Sequence, residues 1–149
     1  LRNARWELAF AATTNQAGTT PEEAAQMERD NVNRKATIVI EHIIQASDVA
    51  HTMQHWHVYK KWNAKLFKEM TKAYREGRAE KDPATFWYEG EIGFLDFYII
   101  PLAKKLKDCG VFGISSDEYL SYALKNRAEW MDKGDRIVAD MVEKLSVDL

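Results

Sequence analysis

Apolar positions recur at helical spacing along nearly the whole chain, and no stretch sustains the apolar–polar alternation of a half-buried strand. Leu1–Ala12 carries a partial apolar face from Leu1, Trp6, Leu8, Ala9 and Ala12 and is predicted helical. Thr13–Thr20 has Asn, Gly and four threonines and reads as a loop. Thr20-Pro21-Glu22-Glu23 is a helix start: Thr as the N-cap, Pro at the first helical position, acids in the first turn. That helix, or two with a break near Asn31–Asn33, runs to about Ala50. A second helix covers His55 to Glu76, with Trp56, Tyr59, Leu66, Phe67, Met70 and Tyr74 on one face and Asn63 between them. Gly77 ends it. Phe86–Leu106 is the most apolar helix, and its Pro101 should kink it or begin a new segment. Val111–Ser115 is a connector. The last helix starts at Ser116-Asp117-Glu118 and repeats apolar residues at Leu120, Leu124, Met131, Val138, Met141 and Leu145. The reading is all-α, a helical bundle.

Asp48 breaks the pattern. It follows Ile40, Ile43, Ile44 and Ala46 and precedes Val49 and Ala50, where a further hydrophobe would fit. A carboxylate is rarely buried without a partner. Either Asp48 faces water near a helix end, or a metal compensates it, since His42, His51 and His55 lie close in sequence. Asp48, His51 and His55 stand three and four apart and could share a helical face, provided that Thr52-Met53-Gln54 does not interrupt that helix.

Composition narrows the classes. The chain has 149 residues, enough for one domain with a real core. A net charge of −2 gives no footprint for nucleic acid or an anionic membrane. Cys109 is the single cysteine, so there is no internal disulfide and no cysteine zinc site, and a cytoplasmic setting fits. No apolar run reaches the roughly 20 residues that cross a bilayer. The chain lacks an initiator Met, and a piece of something longer is expected. Gly-rich phosphate loops and Ser-His-Asp or Cys-His nucleophile patterns are not visible.

Candidate chemistry gathers on the Phe86 helix, where Glu89, Glu91 and Asp96 sit among aromatics. Glycines at 90 and 93 each cost helix propensity of roughly 1 kcal/mol relative to Ala, so close approach of a ligand or another backbone is expected there, or packing over small residues. Glu91 and Phe94 lie three apart and share a face. A carboxylate beside an exposed ring would suit a planar ligand; the plainer alternative makes Phe94 core and Glu91 rim.

The windows Ile43-Ile44-Gln45-Ala46-Ser47-Asp48-Val49, Tyr59-x-x-Trp62, Leu66-Phe67-x-Glu69-Met70, Gly77-Arg78-Ala79-Glu80, Gly90-Glu91-Ile92-Gly93-Phe94-Leu95-Asp96-Phe97 and Ile100-Pro101-Leu102 form an ordered set. In order and spacing they resemble the 3′,5′-cyclic nucleotide phosphodiesterase catalytic domain, an all-helical HD-type metal hydrolase. The likeness is strongest over Ile38–Leu106, with weaker agreement at Asn126-Arg127 and Trp130. It implies that residues 1–149 are the C-terminal part of that domain, its N-terminal metal-binding helices missing. Asp48 would be a ligand of the tightly held metal. Zinc and magnesium (or manganese) would be the cofactors, and cAMP or cGMP the substrate. Phe94 and Leu66 would clamp the base, and Glu91, oriented by Tyr59 and near Asn63, would recognise it. His51 stands where many members place an Asn facing the base. The general acid, a histidine, would lie upstream, so this chain alone should not hydrolyse cyclic nucleotide. Upstream receptor or cyclase domains, membrane tethering of the parent protein and homo-oligomerisation are compatible with the likeness.

Glu91 departs from the family's Gln at that position. An amide donates and accepts, whereas an ionised carboxylate only accepts, so the base preference is left open. Two other readings stand beside this one: a non-catalytic nucleotide-binding or regulatory module, and an unrelated bundle with its own Asp48/His51/His55 metal site.

Overall fold

A computed structural model describes residues 20–110 and 112–147, and the predicted helix over Leu1–Ala12 with its following loop lies outside them. Every regular element among the described residues is helical, as the periodicity predicts. The described residues divide after Ser47 into two compact units, and each is described on its own.

In the first unit, helix α1 spans Pro21–Asp48. Its start is a reciprocal cap. The Thr20 amide donates to the Glu23 carboxylate at 2.8 Å, and the Glu23 amide donates to Thr20 Oγ1 at 3.2 Å. Pro21 has no amide to satisfy. The break considered near Asn31–Asn33 does not occur. Asn costs a helix well under 1 kcal/mol, and no Gly or Pro falls between Pro21 and Asp48. The helix stops at Asp48, before the predicted Ala50.

The second unit opens with a 3-10 turn over Ala50–Met53. Helix α2 covers Trp56–Arg75. Gly77, at φ +71°, closes its end in the left-handed conformation. A second 3-10 turn, Pro83–Thr85, is capped by Asp82, whose carboxylate accepts from the Ala84 amide at 3.0 Å. Helix α3 spans Trp87–Phe94, α4 spans Ile100–Cys109, and α5 spans Ser115–Val147.

Between α3 and α4 lies a π-helical turn, Leu95–Ile99, in which the Ile100 amide donates to the Leu95 carbonyl. The single helix predicted over Phe86–Leu106 is thus split just ahead of Pro101. Proline lacks an amide hydrogen, and its ring collides with the carbonyl four residues back, here Phe97. The widened turn accommodates both. Beyond it, Pro101 sits in the first turn of α4, where proline is tolerated.

One stripe along α5 makes the core. Ala123, Asn126, Trp130, Gly134, Val138 and Met141 recur at steps of three and four and are all buried. Trp130 meets Tyr59 edge-on at 6.0 Å and 88°. Phe67 meets Trp87 edge-on at 5.1 Å. Leu95, Ile99, Ala103 and Leu106 give the matching stripe on the π-turn and α4. Polar bonds fix the register of α5. Asn126 donates to the carbonyls of Thr52 and Gln54 at 2.9 and 2.8 Å. Trp130 Nε1 donates to the Tyr88 carbonyl at 3.1 Å. Arg127 pairs with both oxygens of Asp96, holding the π-turn to α5.

The expected close approach at Gly90 and Gly93 takes a modest form. A Cβ at Gly90 would lie 3.4 Å from the Phe86 ring, and one at Gly93 would lie 4.0 Å from the Phe97 ring. The tight glycine is Gly134, where a Cβ would fall 2.9 Å from the Tyr88 ring and 3.0 Å from Trp130.

Candidate functional site

Helices α2 and α3 each carry a pair of polar or aromatic residues four apart. Tyr59 and Asn63 lie on α2, and Trp87 and Glu91 on α3. The pairs bond across. The Tyr59 hydroxyl donates to Glu91 Oε2 at 2.5 Å. Trp87 Nε1 donates to Asn63 Oδ1 at 3.1 Å. Asn63 also donates to the Glu91 carboxylate. Pairing 59 with 91 and 63 with 87 is the register of antiparallel neighbours.

This network is almost dry. Asn63 is 2% exposed and Glu91 9%. Burial raises the Glu91 carboxyl above the ordinary range, and the Tyr59 and Asn63 donors pull it back down. Burial, and next the adjacent Glu91 charge, hold the Tyr59 hydroxyl firmly protonated, so it stays a donor. The plainer expectation is reversed: Glu91 is the buried member, and Phe94, one turn on, is half-buried.

Each helix carries an apolar side chain one turn beyond its buried polar one. Leu66 follows Asn63 by three residues and is 43% exposed. Phe94 follows Glu91 by three and stacks on Tyr98, with centroids 5.4 Å apart and planes 11° apart. His51, on the 3-10 turn, is half-buried beside the Trp62 ring at 6.3 Å, and burial lowers its imidazole pKa. The structure therefore joins Tyr59, Asn63 and Glu91 directly and places Leu66 and Phe94 one turn beyond them. His51 bonds to none of the three.

Asp48 is exposed at the end of α1, His51 lies on the 3-10 turn and His55 directly precedes α2. The continuous helix that would have aligned them is absent. His55 Nε2 instead lies 3.0 Å from the Tyr122 hydroxyl. Among the described residues no group of three or more His, Cys, Asp or Glu side chains could hold a metal ion. The self-contained Asp48/His51/His55 metal site is overturned, because the α-helix ends at Asp48 and a 3-10 turn, Ala50–Met53, carries the chain to His55. A zinc or magnesium centre does not fit the described residues alone: a lone exposed carboxylate does not hold such an ion.

Trp87 and Tyr98 were not foreseen. Trp87 stands one turn before Glu91, as Tyr59 stands one turn before Asn63, and that matched spacing was the available signal. A cleft of about 450 Å³ between the start of α2 and α5, lined by His55, Trp56, Tyr122, Asn126 and Asp132 among others, includes none of Tyr59, Asn63, Glu91, Leu66, Phe94 and His51.

The sequence matches the model of the 3′5′-cyclic nucleotide phosphodiesterase family over residues 8–111, well over half of the chain. Curated proteins and solved structures give no match. Asn126, Arg127 and Trp130 lie past the matched stretch, yet each bonds back into it. The chain belongs to the 3′5′-cyclic nucleotide phosphodiesterase family.

Proposed function

From that membership, we propose that residues 1–149 are the base-recognising part of a catalytic domain that hydrolyses 3′,5′-cyclic nucleotides to nucleoside 5′-monophosphates. Glu91, supported by Tyr59 and Asn63, meets the edge of the base. Phe94 and Leu66 take its two faces, and His51 lines the wall. The observation that carries this reading is the buried Tyr59–Glu91 hydrogen bond with Asn63 behind it, one turn from the Phe94–Tyr98 stack. A carboxylate held by fixed donors beside a planar ring suits a flat, hydrogen-bonding ligand.

Asp48 contributes one carboxylate to a divalent-metal centre whose other ligands, with the general acid, we assign to a segment N-terminal to Leu1. Zinc and magnesium or manganese are the proposed ions, and that centre would supply the chemistry at the phosphate. The residues of this chain bind and orient the base.

The test compares the 149-residue chain with a form extended N-terminally, following release of nucleoside monophosphate from cAMP and cGMP. The extended form should turn over in the presence of divalent ions, and the shorter chain should not. Equal turnover by both would sink the division of labour. An extended form that binds but never hydrolyses would make the domain a non-catalytic nucleotide sensor.

A further inference from the structure

In its ionised form Glu91 is presented to a ligand purely as an acceptor, and its fixed donor partners favour that form. The Asn63 amide could in principle turn either end to Glu91. Its Oδ1, however, accepts from Trp87 Nε1, which can only donate. The Asn63 NH2 is thereby aimed at the carboxylate, and it donates there. The Tyr59 hydroxyl donates as well, to Oε2. An ionised carboxylate offers about four lone-pair directions and no proton. Two are used by the protein, and those left can only accept.

The ligand edge must then supply donors. Adenine and cytosine each set an amino donor beside a ring-nitrogen acceptor, whose lone pair would face the carboxylate. Uracil has a single N–H between two carbonyls. Guanine alone carries two adjacent donors, the N1–H and the 2-amino group, spaced to meet the two oxygens of one carboxylate. We propose that Glu91 makes this site selective for guanine, with cyclic GMP as the nucleotide it takes. The assignment rests on the reading above, in which the Glu91–Phe94 face receives the base.

The experiment titrates the 149-residue chain with cyclic GMP, cyclic IMP and cyclic AMP by calorimetry, at mildly alkaline pH, which favours the ionised form of Glu91 over the protonated one. The Trp87 indole N–H resonance serves as a local reporter, because it bonds the residue that bonds Glu91. Cyclic IMP keeps the N1–H and lacks the 2-amino group. Cyclic GMP should bind at least about tenfold more tightly than cyclic AMP, with cyclic IMP between them, and should shift the Trp87 signal. Glu91→Gln, an amide that both donates and accepts, should bring the GMP-to-AMP ratio to within about threefold. Binding of cyclic AMP as tightly as cyclic GMP by the unaltered chain overturns the base assignment while leaving the cyclic-nucleotide reading standing. So does a ratio that Glu91→Gln leaves unmoved. If none of the three binds, the cyclic-nucleotide reading fails and the assignment falls with it. The unaltered chain decides between these outcomes even if the variant does not fold.

Discussion

Glu91 sets two opposing demands on one side chain. Burial favours its protonated form, while the donors Tyr59 and Asn63 favour the charged one, and burial is the larger effect. A carboxyl whose folded pKa is raised holds its proton more tightly in the native state than in the unfolded one. Its contribution to stability is full below the ordinary value of 4.5 and is lost as pH rises through the folded pKa. Glu91→Gln cannot titrate. Urea unfolding from about pH 4.5 upward should therefore show the unaltered protein losing stability relative to the variant. A difference that stays flat with pH would mean that Glu91 titrates as if exposed. Tyr59→Phe probes the same bond from the other side. It removes a hydroxyl that donates to a buried carboxylate and should cost about 1.5–3 kcal/mol where that carboxylate is ionised. In the Glu91→Gln background the cost should drop, since a neutral acceptor gains less from that donor.

At the scale of elements, α5 depends on Gly134. Alanine is worth roughly 1 kcal/mol more than glycine in a helix interior. A Cβ at 134 would nevertheless lie 2.9 Å from the Tyr88 ring and 3.0 Å from the buried Trp130 ring. Overpacking of that kind costs about 1–3 kcal/mol. Gly134→Ala should therefore lower the melting temperature in spite of its better propensity; a higher melting temperature would show that the Tyr88 ring moves aside freely. The helices themselves were legible in sequence. Period, capping residues and terminal glycines are local signals, and the Thr20 cap, Gly77 and Gly110 act where such signals place them. Much of the candidate network was legible too, because Tyr59, Asn63 and Glu91 belong to an ordered family pattern. What the sequence hid was tertiary. The need for Gly134 arises from a ring 46 positions earlier. The orientation of Asn63 depends on Trp87, which is on another helix. The π-turn follows from Pro101, and the proline signalled a disturbance without specifying that the extra residue would be taken up ahead of it.

For the molecule as a whole, the contrast between the two units is one of burial. α1 is exposed along most of its length and buries Ile38 and His42, whereas the stripe of α5 and the rings of Tyr59, Phe67, Trp87 and Trp130 lie in residues 48–149. The hydrogen bonds that set register, from Asn126, Trp130 and Arg127, also begin and end within that unit. Hydrophobic burial carries most folding free energy, and an isolated helix in water is marginal without a packed face. A protein starting at Asp48 should then fold by itself. Its thermal unfolding should be cooperative, with the near-ultraviolet circular dichroism of packed tryptophans retained. It should also keep the pH dependence of stability that Glu91 gives the longer chain, since Tyr59, Asn63 and Trp87 are all still present. A gradual, non-cooperative melt of the 48–149 protein would show that residues 1–47 are needed to complete the core. A cooperative melt without the pH dependence would show that they are needed to keep Glu91 dry.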